Sequence, residues 1–203
     1  TSQLSDFYGQ IGDIYYQQKN VTKAYEAYEE ALKYNDKNIV VLNNYSYFLT
    51  LDKKELKKAE RMSAQCIKLQ PDNSTYLDTY AWVFFTQGNY TLAKIYIENA
   101  ISKDSTNSSE LADHYGDILY MNGEKEKALE QWKKAKELGK QSETLDRKIA
   151  EQIYIEEVIK FTNRPYFCHK GNVAALLAAK NHVNVFIYDP LAPDPTGIIN
   201  QGH

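Results

Sequence analysis

The histidines and cysteines are the side chains of this sequence that most often carry catalysis or bind metal, but their spacing favours neither role. No two of the histidines, His114, His169, His182 and His203, are four residues apart, the spacing that places two metal ligands on one face of a helix. Cys168 precedes His169 directly, and in a strand two neighbouring side chains point to opposite faces, which is poor geometry for a nucleophile and its base. We therefore predict no enzyme activity, no metal site and no cofactor.

The other candidate motifs also favour structural roles. Cys66 has no CxxC partner, which disfavours both a disulfide framework and a zinc site. The basic run at residues 53–58 has acidic neighbours and is interpreted as a solvated face. His114 is expected on a helix surface beside Asp113 and Asp117. No glycine-rich phosphate loop is present in the sequence.

Composition argues against several classes of partner. There are 24 Lys and Arg against 27 Asp and Glu, a net charge of -3, so no overall field attracts nucleic acid or an anionic membrane. No apolar run approaches the roughly 20 residues that span a bilayer. Because the sequence begins with Thr1 rather than Met, we expect an excerpt of a longer chain. The compartment stays open between cytoplasmic and periplasmic, since an upstream signal or lipid anchor could be missing.

Small residues recur along the chain with a period of about 34 residues. One series follows spacings of 35, 34 and 35 residues on an amphipathic helical face: Ala24, Ala59, Ala93 and Ala128. A second series is centred on another helical segment upstream of each alanine: Gly12, Ser46, Ala81 and Gly116. Antiparallel helices approach closely only where side chains are small, so the pattern predicts four helix hairpins.

This pattern resembles the tetratricopeptide repeat. The resemblance covers roughly residues 5–140, although the tryptophan usual near the start of the motif is replaced by Tyr8, Leu42, Leu77 and Ala112. It implies an all-α solenoid with repeats at about 5–38, 39–73, 74–108 and 109–140. The sequence of residues 76–82 also resembles repeat proteins of Bacteroidetes-type bacteria.

A further helix is predicted after the fourth repeat, because repeat arrays need an atypical end helix to cover the last apolar face. We place this capping helix at residues 141–160. Its apolar face carries Leu145, Ile149 and Ile153, and polar side chains oppose them.

The helical repeat stops at residue 161. Short apolar runs are then separated by Gly171-Asn172 and Asn181-His182, turn signals that favour an antiparallel β-meander, although Ala174–Ala179 could also be helical. Residues 166–183 resemble the opening strands of an uncharacterised, frataxin-like bacterial family. We expect residues 161–203 to form a linker and a short β-rich tail, either a piece of a natural domain or a gene junction, and assign it no function.

In tetratricopeptide-repeat proteins the first helix of each pair lines a concave groove, and here those helices carry no cation. Residues 6–17, 39–51, 74–87 and 109–121 contain no Lys or Arg, yet they contain several Asp and Glu. The family's register points ten side chains into the groove: Asp13, Tyr16, Asn43, Tyr47, Asp78, Trp82, Phe85, Asp113, Asp117 and Tyr120. The resemblance therefore implies an acidic, aromatic binding surface.

Such a surface predicts a protein-interaction scaffold. The family's best-known peptide sites hold a carboxylate with cationic donors, which these helices lack. We expect a protein or peptide segment with apolar side chains and Lys or Arg, bound by charge and cation–π contacts with Trp82 as an anchor. In one alternative, Tyr47 and Phe85 merely pack between hairpins. In another, the array is a structural spacer or dimerisation module whose groove is filled by its own tail or a second copy, and the oligomeric state stays open.

Overall fold

A computed structural model describes residues 1–157 of the 203-residue chain. The predicted linker and β-rich tail at residues 161–203, including the turns at Gly171 and Asn181, lie outside the described residues. Within residues 1–157 every regular element is an α-helix. In chain order the helices are α1 (Ser2–Gln17), α2 (Val21–Tyr34), α3 (Ile39–Leu51), α4 (Leu56–Leu69), α5 (Ser74–Thr86), α6 (Tyr90–Lys103), α7 (Ser109–Met121), α8 (Lys125–Glu137) and α9 (Glu143–Glu151).

The helices form four consecutive hairpins followed by a capping helix. Each odd-numbered helix from α1 to α7 packs mainly on the helix that follows it, and α9 packs on α8. Consecutive first helices also contact one another, whereas among the described residues consecutive second helices make no comparable contact. The first helices therefore form the inner, concave layer, and the predicted all-α solenoid is confirmed. None of the described helices is both long and apolar enough to cross a membrane.

Side-chain caps fix where most of the helices begin. Asn or Ser side chains accept a hydrogen bond from a backbone N–H in the first turn of six helices, which satisfies donors that the helix itself leaves unpaired. These caps are Asn20, Asn38, Asn73, Asn89, Ser108 and Ser142. The within-hairpin turns after α5 and α7 use Gly88 and Gly123 at φ of 79° and 85°, a conformation that favours glycine. The turn after α3 is one residue longer than the other within-hairpin turns, and Glu55 has positive φ in it in addition to Lys53.

The two helices of each hairpin cross at the small residues identified in the sequence. A Cβ atom added to Gly12 would lie 2.6 Å from the Tyr28 ring, and one added to Gly116 would lie 2.4 Å from the Trp132 ring. In the second hairpin the Ser46 hydroxyl instead lies in hydrogen-bond contact with a second serine, Ser63. Each crossing is therefore filled by a pair of residues of matched size.

The capping helix is shorter than predicted. It begins at its Ser142 cap and ends at Glu151, because Gln152 takes a left-handed conformation with φ of 55°. Leu145 and Ile149 pack into the last hydrophobic cluster as expected, whereas Ile153 lies beyond the helix and is 42% exposed. Residues 152–157 are not helical, and they turn toward the inner layer.

Replacing Gly116 with Ala is expected to destabilise the protein by about 1–2 kcal/mol, because overpacking against Trp132 outweighs the gain in helix propensity of roughly 1 kcal/mol. In a Trp132→Ile background, which copies the Ala81 and Ile97 pair of the third hairpin, the same substitution should become neutral or stabilising. Chemical denaturation of the four proteins measures both effects. An identical Gly116→Ala effect in the two backgrounds would contradict a steric match between these residues.

Candidate functional site

The concave side holds two adjoining cavities that together form a groove. The first, called here the amide half, has a volume of about 940 Å³ and is lined mainly by polar residues, among them Asp6, Asp13, Asn43, Asn44, Asp78 and Glu110. The second, the aromatic half, has a volume of about 560 Å³, and its lining includes Tyr47, Trp82, Phe85, Asp113, His114, Asp117 and Tyr154. Eight of the ten side chains assigned to the groove from the sequence therefore lie in its walls.

The other two assigned residues, Tyr16 and Tyr120, line neither half. Tyr16 is 3% exposed, stacks on Phe48 with ring centroids 3.8 Å apart, and donates a 3.0 Å hydrogen bond to Asp52. Tyr120 packs on Trp132 at 5.8 Å. Their assignment is corrected because the Tyr16 ring packs on α3 and the Tyr120 ring packs on α8, whereas Phe85, at the corresponding position of the third repeat, reaches the aromatic half.

A chain of amides and a carboxylate forms the wall of the amide half. Asn44 donates a 3.1 Å hydrogen bond to Asp13, which also accepts one from the Tyr28 hydroxyl. Asn43 is 2% exposed and its Nδ2 atom donates to Asn44, but its Oδ1 atom has no hydrogen-bond partner among residues 1–157. An unsatisfied buried acceptor costs about 1–3 kcal/mol. Asn43 Oδ1 is therefore a buried, unsatisfied acceptor in a residue that lines the amide half.

The amide half is rich in carboxylates. Among residues 1–157, Lys103 is the one cation in its lining, and it forms an ion pair of 2.8 Å with Asp72. Six acidic residues line the same cavity: Asp6, Asp13, Asp72, Asp78, Asp104 and Glu110. Close carboxylates in a concave site concentrate negative potential, so this half favours cationic groups.

A stack of rings separates the two halves. The Trp82 ring lies between Phe85, at a centroid distance of 4.6 Å, and His114, at 4.2 Å. The Nδ1 atom of His114 is 2.8 Å from a carboxylate oxygen of Asp78, and both side chains are largely buried. Burial opposes the charged imidazolium, but Asp78, with a contribution from Asp113, outweighs it and raises the pKa of His114 above its ordinary value. The expectation that His114 lies on a helix surface is therefore wrong.

Two of the predicted groove carboxylates are already paired. The ammonium group of Lys148, on α9, lies 3.0 Å from Asp113 and 2.7 Å from Asp117, and Lys140 lies 2.7 Å from Asp113. The indole N–H of Trp132 donates a 2.9 Å hydrogen bond to Asp117. Two ammonium groups thus balance two carboxylates. The prediction that Asp113 and Asp117 present free negative charge to a ligand needs correction, because it counted cations on the inner helices alone.

Within this buried cluster the two carboxylates differ in acidity. Burial, reinforced by repulsion from Asp113, raises the pKa of Asp117 to about 7 against the opposing effect of Lys148. Burial also acts against ionised Asp113, but Lys140 and Lys148 outweigh it and lower the pKa of Asp113. Asp113 is therefore the more firmly ionised partner of the two lysines. Among residues 1–157 no group of three or more His, Cys, Asp or Glu residues is arranged to hold a metal ion.

Comparison with solved structures decides the fold. A tetratricopeptide repeat protein from Parabacteroides merdae is 20% identical, with a TM-score of 0.63 over 73% of this chain and 57% of that chain. PilF of Pseudomonas aeruginosa is 24% identical, with a TM-score of 0.59 over 72% and 68% of the two chains. The chain has the tetratricopeptide-repeat fold. It spans 57% of the length of the P. merdae protein.

Further matches agree with this fold. The sequence model of the tetratricopeptide repeat matches residues 5–38, which correspond to the first repeat. The tetratricopeptide-repeat protein YrrB, whose structure is described as having an unusual peptide-binding site, is 17% identical, with a TM-score of 0.52 over 65% of this chain and 67% of that chain. No curated protein gives a significant match to the sequence.

Sequence reasoning missed several residues of this tetratricopeptide-repeat groove. The position of Lys148 gave a signal, because it follows Leu145 by three residues and so shares the apolar face of α9. Tyr154 was missed because the helix was expected to continue past it. No feature of the sequence marked His114 as the partner of Asp78, since that contact joins the third repeat to the fourth.

The raised pKa of His114 predicts a pH-dependent stability. A histidine whose pKa is higher in the folded protein stabilises it fully below the unfolded value of about 6.5, and this contribution is lost as pH rises through the folded value. The free energy of unfolding of the wild type should therefore exceed that of His114→Gln most at about pH 5.5 and least near pH 9. In an Asp78→Asn background, the difference in the free energy of unfolding between His114 and Gln at this position should depend less on pH. A difference that grows with pH would contradict the pairing.

Lys148 is 1% exposed, so removing its charge should leave the buried Asp117 carboxylate without an ammonium partner and Asp113 with Lys140 alone. We expect Lys148→Met to lower the free energy of unfolding by about 3–5 kcal/mol, and Lys148→Met combined with Asp117→Asn to lose less. The control Arg147→Met changes an exposed neighbour on the same helix, and its effect should stay within about 0.5 kcal/mol. Equal losses for the Lys148 and Arg147 variants in denaturant titrations would show that the cluster contributes nothing to docking α9.

Proposed function

We propose that this tetratricopeptide-repeat array is a non-enzymatic protein-interaction scaffold whose amide half binds a peptide or protein segment carrying Lys or Arg. The fold supports an interaction scaffold in general, and YrrB, which has a similar fold, is described as having a peptide-binding site. The amide half is a concave, carboxylate-rich cavity on the inner layer of helices, which suits an extended cationic segment.

The observation that carries this proposal is the buried acceptor at Asn43. A peptide main chain supplies N–H groups at regular intervals. Rotation of the Asn43 amide toward the cavity that it lines would let Oδ1 accept one of them, which would remove the cost of an unpaired buried oxygen. Glu110 lies at the rim of the same cavity and is exposed, so it can meet a Lys or Arg side chain of the ligand. Main-chain contact and charge together would select a basic segment.

Apolar ligand side chains are assigned to the boundary between the two halves. Trp82 is partly exposed there and lies next to Asp78, the acidic residue in the wall of the amide half. Tyr47 also lines the neighbouring cavity. Phe85, by contrast, is 7% exposed and packs against Trp82 and Tyr90, which agrees with the alternative that it packs between helices. Trp82 and Tyr47 remain the proposed aromatic contacts.

Selection of peptides from a random library on the purified chain tests the proposal. Enriched peptides should carry Lys or Arg, and their affinity should fall as salt is raised. Asn43→Leu, which keeps the branched shape and the number of heavy atoms of the side chain, should weaken them by about 1–3 kcal/mol, and Glu110→Lys should weaken them as well. Asn99→Leu, the same change at an exposed site on α6, the second helix of the third hairpin, is the matched control.

Unfolding curves must first show that Asn43→Leu remains folded. Peptides without basic residues, or basic peptides that bind Asn43→Leu and wild type equally, would refute a site in the amide half.

A second candidate function is a spacer or dimerisation array whose groove is occupied by its own chain. It is favoured by the contact of Tyr154 with Phe85, which places residues after α9 in the aromatic half. Size-exclusion chromatography across a range of concentrations distinguishes the candidates, since a dimerisation array should shift to larger size as concentration rises.

Other conclusions drawn from the sequence stay predictions. These are the repeat boundaries at 5–38, 39–73, 74–108 and 109–140, the Bacteroidetes-type resemblance, the frataxin-like resemblance of residues 166–183, and the exclusion of nucleic acid as a partner. The proposed function depends on none of them, because it rests on the walls of the amide half.

A further inference from the structure

The residues that follow α9 cross the aromatic half of the groove. The Tyr154 ring meets Phe85 edge-on, with centroids 5.6 Å apart, and the ammonium group of Lys148 lies 5.8 Å from the Tyr154 centroid. Tyr154 therefore inserts between the third hairpin and the capping helix. By contrast, Ile153, just before it, is exposed and is absent from the walls of the cavity. The contact is thus made by one aromatic side chain.

The two carboxylates that follow this tyrosine lie close to lysines on opposite sides of the groove. Glu156 forms a 2.6 Å ion pair with Lys53, in the turn of the second hairpin. Glu157 accepts a 3.0 Å hydrogen bond from Ser142 and lies 3.8 Å from Lys140. Residues 154–157 thus bridge the second hairpin and the start of α9, and they present an aromatic anchor followed by two negative charges.

This bridge is held by contacts that water can replace. Lys53 and Glu156 are 60% and 57% exposed, and ion pairs with that exposure contribute about 0–1 kcal/mol. The Tyr154 ring is only partly buried. The segment is therefore positioned by complementary chemistry but bound weakly, which suits a segment that another ligand can displace.

We propose that the aromatic half is a second docking site, specific for a protein segment with an aromatic residue followed by acidic residues, and that residues 154–157 occupy it in cis. A partner segment of that chemistry displaces them to bind. The inference rests on the proposed role of the groove in binding protein segments, but it concerns the other half and the opposite charge. The tethered segment competes at a high effective concentration, so only a segment with better contacts gains access.

The site can be tested with a peptide of residues 152–157, Gln-Ile-Tyr-Ile-Glu-Glu, with both ends blocked. The full chain has two tryptophans, so 5-fluorotryptophan gives two ¹⁹F signals. Trp132 is fully buried outside the cavity and serves as the reference, while Trp82 lines it and reports binding. The peptide should shift the Trp82 signal of Tyr154→Ala saturably, with a dissociation constant at least fivefold lower than for the wild type.

A second variant opens the site without removing an aromatic ring. Glu156→Lys places like charges beside each other at Lys53, and it should strengthen peptide binding about twofold relative to the wild type. Ile153→Ala, in the same segment but without a contact in the cavity, should behave as the wild type does. Peptides with Tyr replaced by Ala, or with both Glu replaced by Gln, should not shift the Trp82 signal of any variant.

Equal peptide affinity for the wild type and Tyr154→Ala, or no binding to either, would overturn the proposal, as would equal binding of the Gln-substituted peptide. A wild-type dimer that Tyr154→Ala dissolves would show that the segment docks on a second copy, and would overturn occupancy in cis. Basic peptides selected on the amide half should bind Tyr154→Ala unchanged. If Asn43→Leu no longer binds the basic peptides but still binds the acidic peptide with unchanged affinity, the two sites are independent. That result separates this inference from the proposed function.

Discussion

Close approach of two helices at one small residue is the constraint on which the rest of this structure depends. Where the first helix offers glycine, at Gly12 and Gly116, the second helix supplies a large ring, from Tyr28 and Trp132. Where the first helix offers serine or alanine, the second helix supplies serine or isoleucine. Glycine is thus paired with a large ring, alanine with isoleucine, and serine with a serine in hydrogen-bond contact, and each pairing lets the two helices approach closely.

The same rings explain why acidic residues stand on that layer. Asp13 and Asp117 each follow the crossing glycine directly, and they accept hydrogen bonds from the Tyr28 hydroxyl and the Trp132 indole. These carboxylates are thus acceptors for buried polar groups that would otherwise be unpaired. Some of the acidic residues of the groove are therefore explained by the packing of the hairpins. The carboxylates that a ligand can contact lie in the amide half.

Periodicity was enough to predict the fold, because the small residues at the helix crossings and the turn residues between helices recur with the same period. The inner helices α3 and α7 begin and end at the residues expected from the sequence, and the small-residue positions are those where the helices cross. The site was less predictable. Helical register placed Asn43 and Trp82 in the groove, but the neutralisation of Asp113 depends on lysines contributed by a non-repeating helix. The end of α9 was likewise not predicted, because Gln152 takes a left-handed conformation and Tyr154 beyond it docks on Phe85, a contact between distant parts of the chain.

The buried Lys148 also limits how the solenoid can grow. In most of the array an apolar helix face is covered by the next hairpin, but the inner helix of the fourth repeat is covered by an ammonium group held between two carboxylates. A fifth hairpin stacked at this end would have to expel that ion and leave the carboxylates facing an apolar surface, at a large desolvation cost. At this end of the described hairpins, a buried positive charge thus makes further stacking costly.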